Sequence, residues 1–152
     1  MRLSFIAGMR NLTILAVNKM PMIIFYEKPG CINNTKQKKI LKSAGYSLVE
    51  KNILNEPWNP EDLRKYFGDL PMEQWFNQSA PAIKSNELKL EALNETDALM
   101  LMVNDPILIR RPLMSLGDKH KVGFDIAILD ELKGIAEKYK QQDLESCPRT
   151  VH

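Results

Sequence analysis

An α/β fold with a mixed sheet is predicted by three features of the sequence. Near the start, the apolar run Met22-Ile-Ile-Phe-Tyr26 is broken by Pro29-Gly30, and a helical pattern then leads to a second strand-like run. Near the other end, two short strand-like runs flank a turn at Gly117-Asp118 and are followed by an amphipathic helix. Between them lie two strong helix starts, at Asn59 and Asn94. The order is β-α-β, a helical insertion, then β-β-α.

Each element has a local reason. Met22 to Tyr26 is apolar throughout, as suits a strand covered on both faces. The first helix is expected over about 32–44, with Ile40, Leu41 and Ala44 as its apolar stripe and Gly45 as terminator. Lys36, Lys38, Lys39 and Lys42 give it a basic outer face, and Tyr46 to Asn52 forms the second strand. Asn59-Pro60-Glu61-Asp62 combines a capping Asn, a proline at the first helical position and two acids in the first turn. That helix is expected to carry Leu63, Tyr66 and Phe67 and to stop at Gly68. Pro71 to Asn77 reads as a short helix anchored by Trp75 and Phe76, and Asn94 caps a further helix to about Asn104. Pro106 to Met114 reads as an extended stretch and a short strand, with Lys121 to Phe124 as its partner. Asp125 caps the last helix, with Ile128, Leu129, Leu132, Ile135 and Tyr139 facing inward. A parallel β-α-β half joined to an antiparallel hairpin and a helix is the thioredoxin-like layout, here with a helical insertion between the halves.

Composition narrows the function classes. The chain has 152 residues and a net charge of +2, which gives no argument for nucleic acid or for a membrane surface. No run approaches the ~18 apolar residues that a membrane span needs. Two cysteines, Cys31 and Cys147, lie far apart and do not make a disulfide framework, so a reducing cytoplasm is the expected home. Residues 1–21 contain Arg2, Arg10 and Lys19 and no acid; Arg10 interrupts their apolar stretch, which argues against a secretory signal. A leader over 1–21, a domain over 22–140 and a polar tail over 141–152 are expected, the whole acting as a monomer.

The chemistry concentrates at Cys31. It falls where the first helix begins, and a helix start presents unpaired N–H groups and partial positive charge that stabilise a thiolate. Asn33 and Asn34 can add polar contacts there, and Lys36 and Lys38 add positive charge, so the site can hold an anion. The pattern is C-x-x-C with Asn34 in place of the second cysteine. Cys31 would therefore act as a lone nucleophile, through a mixed disulfide with a small thiol or another protein; a resolving role for Cys147 stays open. Pro112 is the candidate for the cis proline that opens the third strand of such folds beside the reactive cysteine. Arg111, directly before it, is the candidate anion clamp, because guanidinium suits bidentate capture of carboxylates and oxyanions. His120, in Asp118-Lys-His-Lys121, reads as an exposed turn residue, and the aromatic set Trp58, Tyr66, Phe67, Trp75 and Phe76 as the core of the insertion. No zinc site and no phosphate loop is suggested, and no tightly bound cofactor is expected.

Tyr26-Glu-Lys-Pro-Gly-Cys31, together with Asp105-Pro-Ile-Leu-Ile-Arg-Arg-Pro-Leu-Met114, resembles the family of glutaredoxin-linked arsenate reductases (ArsC) and Spx regulators. Phe25-Tyr-Glu-Lys-Pro-Gly-Cys-Ile-Asn-Asn-Thr35 and Glu73-Gln-Trp-Phe-Asn-Gln-Ser-Ala-Pro-Ala-Ile-Lys84 look most like its nitrogenase-associated branch. The resemblance implies a nucleophile at Cys31 and an active-site arginine at Arg111. The reductases place a second arginine where this chain has Asn77 or Gln78, and a third where Gly123-Phe124-Asp125 stands. Two functions follow. One is a single-cysteine thiol oxidoreductase with glutathione or glutaredoxin as co-substrate. The other is a non-enzymatic accessory protein that binds a nitrogenase-related partner in nitrogen fixation. Arsenate reduction is the weaker third.

Overall fold

The computed structural model describes residues 21–125. Residues 1–20 of the expected leader over 1–21, the expected last helix with Ile128, Leu129, Leu132, Ile135 and Tyr139, and the tail with Cys147 lie outside the described residues.

A four-stranded mixed sheet forms the frame, and β1 (Met22–Glu27) is one of its two inner strands. On one side β1 pairs in parallel with β2 (Ser47–Asn52), from Met22↔Ser47 to Glu27↔Asn52. On the other it pairs antiparallel with β3 (Leu113–Leu116), from Ile24↔Ser115 to Tyr26↔Leu113. β4 (Lys119–Val122) extends the sheet, giving the order β2-β1-β3-β4. A parallel pair needs a crossover, and α1 (Ile32–Ser43) supplies it. Gly45 follows at φ +93, a conformation that suits glycine, and β2 begins two residues later.

Both faces of β1 are covered, which is why its sequence lacks polar alternation. Ile23 and Phe25 are buried with Ile40 and Leu41 of α1 and with Tyr46, Met114 and Phe124. Ile24 and Tyr26 face the other way, into a larger cluster built with the insertion. The insertion starts as the capping signal predicts: the Asp62 N–H donates to Asn59 Oδ1 at 2.9 Å and opens α2 (Pro60–Arg64). α2 is shorter than expected. After Arg64 the amide bonds tighten to the three-residue spacing, Tyr66 N to Leu63 O and Phe67 N to Arg64 O, both at 3.2 Å. The expected helix around Trp75 is a single 3₁₀ turn, Met72–Trp75. α3 (Pro81–Lys84) was not expected from the sequence, and α4 (Glu95–Asn104) has the predicted bounds, with the Asp97 N–H bonded to Asn94 Oδ1 at 2.8 Å.

The final hairpin corrects the expected register. Pro106–Leu108 is a 3₁₀ turn rather than extended chain, and β3 runs on to Leu116. The turn needs only Gly117 and Asp118, with Gly117 at φ +56, so pairing resumes at once with Leu116↔Lys119. β4 therefore ends at Val122. Gly123 and Phe124 lie beyond it, and the Gly123 N–H donates to Pro112 O at 2.9 Å.

The basic outer face of α1 is also corrected. Lys38 is half-buried, with its Nζ 2.7 Å from Glu27 Oε2 and 3.2 Å from Glu50 Oε2; Lys42 also reaches Glu50 at 3.2 Å. Burial pulls the Lys38 ammonium down, but hydrogen bonds to Glu27 and Glu50 more than offset this and hold it above its ordinary value. A cation favoured in the folded state stabilises the fold below its unfolded value and stops doing so as pH rises through the folded one. Lys38→Met is expected to lower stability by about 1–3 kcal/mol at pH 7, because Glu27 is left poorly compensated. The difference should shrink above about pH 10.4, the ordinary lysine value, as denaturant titrations at pH 7 and pH 11 would show. In the insertion, Trp75 is fully buried and stacked on Phe67 at 4.7 Å, with Nε1 bonded to Leu70 O at 2.9 Å. Trp75→Ala should cost about 3–5 kcal/mol in chemical denaturation.

Candidate functional site

The site grows from the loop after β1. Glu27 ends the strand, and Pro29-Gly30 turn the chain back on itself, with Gly30 at φ +83. The Cys31 N–H closes this turn on Lys28 O at 3.1 Å. Cys31 is the N-cap of α1, half-buried, at φ −74 and ψ 119. Its carbonyl accepts the Thr35 N–H at 3.1 Å and the Thr35 Oγ1 hydroxyl at 3.2 Å, so the residue is fixed at the helix mouth. The first turn of α1 contains no acid. The partial positive charge of the helix start is therefore not cancelled from within its own first turn.

Asn33 and Asn34 are placed differently from the sequence expectation. Both are buried, at 2% and 3% exposure, on the face that α1 turns inward. Asn34 Oδ1 accepts the Lys28 N–H at 3.2 Å, and its Nδ2 donates to Gln37 Oε1 at 2.8 Å. The Asn34 amide thus holds the Cys31 loop to the helix rather than facing solvent beside the thiol. Of the two lysines, Lys36 is exposed. At about 3.6 residues per turn it has rotated to another side of α1 from Cys31. Lys38 is committed to Glu27 and Glu50, so its charge is already neutralised.

Arg111 and Pro112 reach the site through the sheet. The Arg111–Pro112 bond is cis, and Pro112 is buried immediately before β3. Because Leu113 pairs with Tyr26, Pro112 lies at the same end of the sheet as Glu27 and the loop to Cys31. The neighbouring Arg110 is engaged elsewhere: its N–H donates to Trp75 O at 2.9 Å and its Nη1 to Gln74 O at 3.2 Å. Asn77 and Gln78, either of which stands where the resemblance implies a second arginine, have side chains that brace backbone. Asn77 Nδ2 donates to Ile107 O at 3.0 Å, and Gln78 Nε2 donates to Glu73 O at 3.2 Å.

His120 is a correction. It does not sit in an exposed turn but in β4, half-buried, with its ring edge-on to Tyr66 at 4.9 Å. The two-residue hairpin turn draws it into the strand. Its partner Ser115 bonds to Tyr66 across 2.7 Å, so a small polar cluster was missed by reading the segment as a loop. Trp58 is likewise only partly buried and lines a cleft, whereas Phe67, Trp75 and Phe76 are core as expected. Among the described residues no group of three or more His, Cys, Asp or Glu side chains could hold a metal, and no helix is long and apolar enough to cross a membrane.

Comparison with known proteins gives this geometry a family. The model of the ArsC family matches residues 26–131. A 15.7 kDa protein from the draG 3′ region of Rhodospirillum rubrum is 46% identical over 129 residues, which cover 85% of this chain and 90% of that one. The global transcriptional regulator Spx of Enterococcus faecalis is 27% identical over 106 residues, covering 68% and 80%. Among solved structures, a Bacteroides fragilis protein described as ArsC family related superposes with a TM-score of 0.65 at 26% identity, covering 73% of this chain and 97% of that one. With the mixed sheet, the α1 crossover and the cis proline in these positions, the chain belongs to the ArsC family and has its thioredoxin-like fold.

Proposed function

We propose that the protein is a single-cysteine thiol oxidoreductase that works through a mixed disulfide with glutathione. The observation that carries this reading is Cys31 at the N-terminus of α1, at the end of the sheet where Arg111 and the cis Pro112 stand, with an amide at position 34. In the first step the Cys31 thiolate attacks the glutathione sulfur of a glutathionylated thiol. A Cys31–glutathione bond forms, and the substrate leaves as its thiolate. A second glutathione thiolate then attacks that glutathione sulfur, giving oxidised glutathione and restoring the Cys31 thiolate. Arg111 would hold a glutathione carboxylate as a paired, charge-assisted contact. Glutaredoxin could replace the second glutathione.

A second reading is favoured by one specific observation, the draG-region relative in Rhodospirillum rubrum. In this reading the protein is an accessory factor for a nitrogenase-related partner, and the face around Cys31 is a contact surface. Ile32, exposed at 53% directly after the cysteine, suits such a contact. Arsenate reduction is the weakest reading, because Asn77 and Gln78 offer no guanidinium to a doubly charged oxyanion.

Turnover separates the readings. With a glutathionylated peptide, glutathione, NADPH and glutathione reductase, the native chain should oxidise NADPH and Cys31→Ser should not. Arg111→Ala should raise KM for glutathione about tenfold, or about 1.4 kcal/mol. A native chain without turnover sinks the enzyme reading, and a Cys31→Ser chain that still supports nitrogenase function in cells points to the accessory role. Asn34→Cys restores the C-x-x-C spacing. It should replace the stable glutathione adduct, seen by mass spectrometry, with an internal disulfide between Cys31 and the introduced thiol. It should also cost about 1 kcal/mol in the reduced state through loss of the Lys28 hydrogen bond.

A further inference from the structure

On the sheet face opposite α1, a cleft of about 300 Å³ opens between the strands and the start of the insertion. Neither Cys31 nor Arg111 lines it. Its walls are aromatic. Trp58 lies 4.9 Å from Tyr26 and 5.9 Å from Tyr66, and the two tyrosines are 6.0 Å apart, all tilted or edge-on. The Trp58 indole N–H donates to Ile53 O at 3.0 Å, which fixes the ring. Two carboxylates, Glu56 and Asp62, also line the cleft. Their field is felt inside it: burial first, then Tyr66, then Glu56 and Asp62 hold the Tyr26 phenol far above its ordinary value. Aromatic walls and carboxylates together favour a cation with an apolar body.

The molecule supplies its own stand-ins for such a cation. Lys51 Nζ lies 5.9 Å from the centre of the Tyr26 ring and 3.9 Å from Glu56 Oε1. Lys65 Nζ lies 2.8 Å from Asp62 Oδ1, with both side chains more than half exposed. The Lys65–Asp62 pair is solvated, and exposed pairs of this kind contribute little to stability. The floor is hydroxylic. Tyr66 Oη and Ser115 Oγ are 2.7 Å apart, and both residues line the cleft. A hydroxyl can both donate and accept, so this pair offers polar contact to a ligand hydroxyl.

We propose that this cleft binds a small organic ammonium ion bearing a hydroxyl group. The charged head lies against Trp58, Tyr26 and the Glu56 and Asp62 carboxylates, and the hydroxyl lies on the Tyr66–Ser115 floor. The inference is independent of any reaction at Cys31.

Choline is the probe, titrated into the full chain and followed by calorimetry and by tryptophan fluorescence. Trp75 is fully buried, so Trp58 is the expected reporter. Choline should bind saturably, and its neutral isostere 3,3-dimethylbutan-1-ol about tenfold more weakly. Asp62→Asn should weaken choline about threefold to tenfold, and Cys31→Ser should leave it unchanged. Lys51→Met, which removes the internal competitor, should tighten it. Equal binding of choline and the neutral isostere overturns the proposal, as does failure of choline to saturate both the native chain and the Lys51→Met variant.

Discussion

The pairing of β1 on both edges is the constraint on which the rest depends. Its parallel ladder to β2 requires the α1 crossover, and the crossover places Cys31 at the mouth of a helix. Its antiparallel ladder to β3 sets Tyr26 opposite Leu113, which brings Pro112 to the end of the sheet where the chain leaves for Cys31. A slip of one residue would reverse every side chain of β1, sending Tyr26 toward α1 and Phe25 toward the insertion. The two hydrophobic clusters guard against that slip, since each accepts only one set of alternate residues. Register in two ladders thus places the parts of the site at one end of the sheet.

The charge environment of Cys31 is simpler than its sequence suggests. Four lysines on α1 look like a positive field, yet Lys38 and Lys42 are spent on Glu27 and Glu50. Glu50 responds in kind: hydrogen bonds from Lys42 and Lys38 hold its carboxyl below the usual range. The helix terminus at Cys31 is free of acids in its first turn, and Arg111 precedes the cis proline at the same end of the sheet. Lys38 ties α1 to β1 and β2, and its positive charge serves the fold.

Features set by local chemistry were legible in the sequence. The caps at Asn59 and Asn94, the stop at Gly45 and the break at Pro29-Gly30 depend on a few neighbouring residues, and each stands where the residues require it. The cis bond at Pro112 was legible only through the fold, because the dipeptide itself favours trans. What could not be read depends on partners distant in sequence. Lys38 looks exposed until Glu27 and Glu50 are brought beside it. His120 looks like part of a turn until Ser115 pairs with it and Tyr66 packs against it. The inward facing of Asn33 and Asn34 was hidden for a related reason, since a polar side chain on a helix gives no sign that it will be buried.

The Asn34 amide has a consequence for how any redox state of the protein is stored. A C-x-x-C pair keeps its oxidising equivalents within one molecule, because the second thiol is permanently tethered beside the first. An amide at that position cannot accept them, and here it is also bound to Lys28 and Gln37. In the proposed mixed-disulfide cycle, and without Cys147 as a resolving thiol, oxidation of Cys31 would be a second-order event in both directions, governed by how much of a separate thiol or disulfide is present. The state of Cys31 would therefore follow the composition of its surroundings continuously, where a tethered pair would hold its state until reduced.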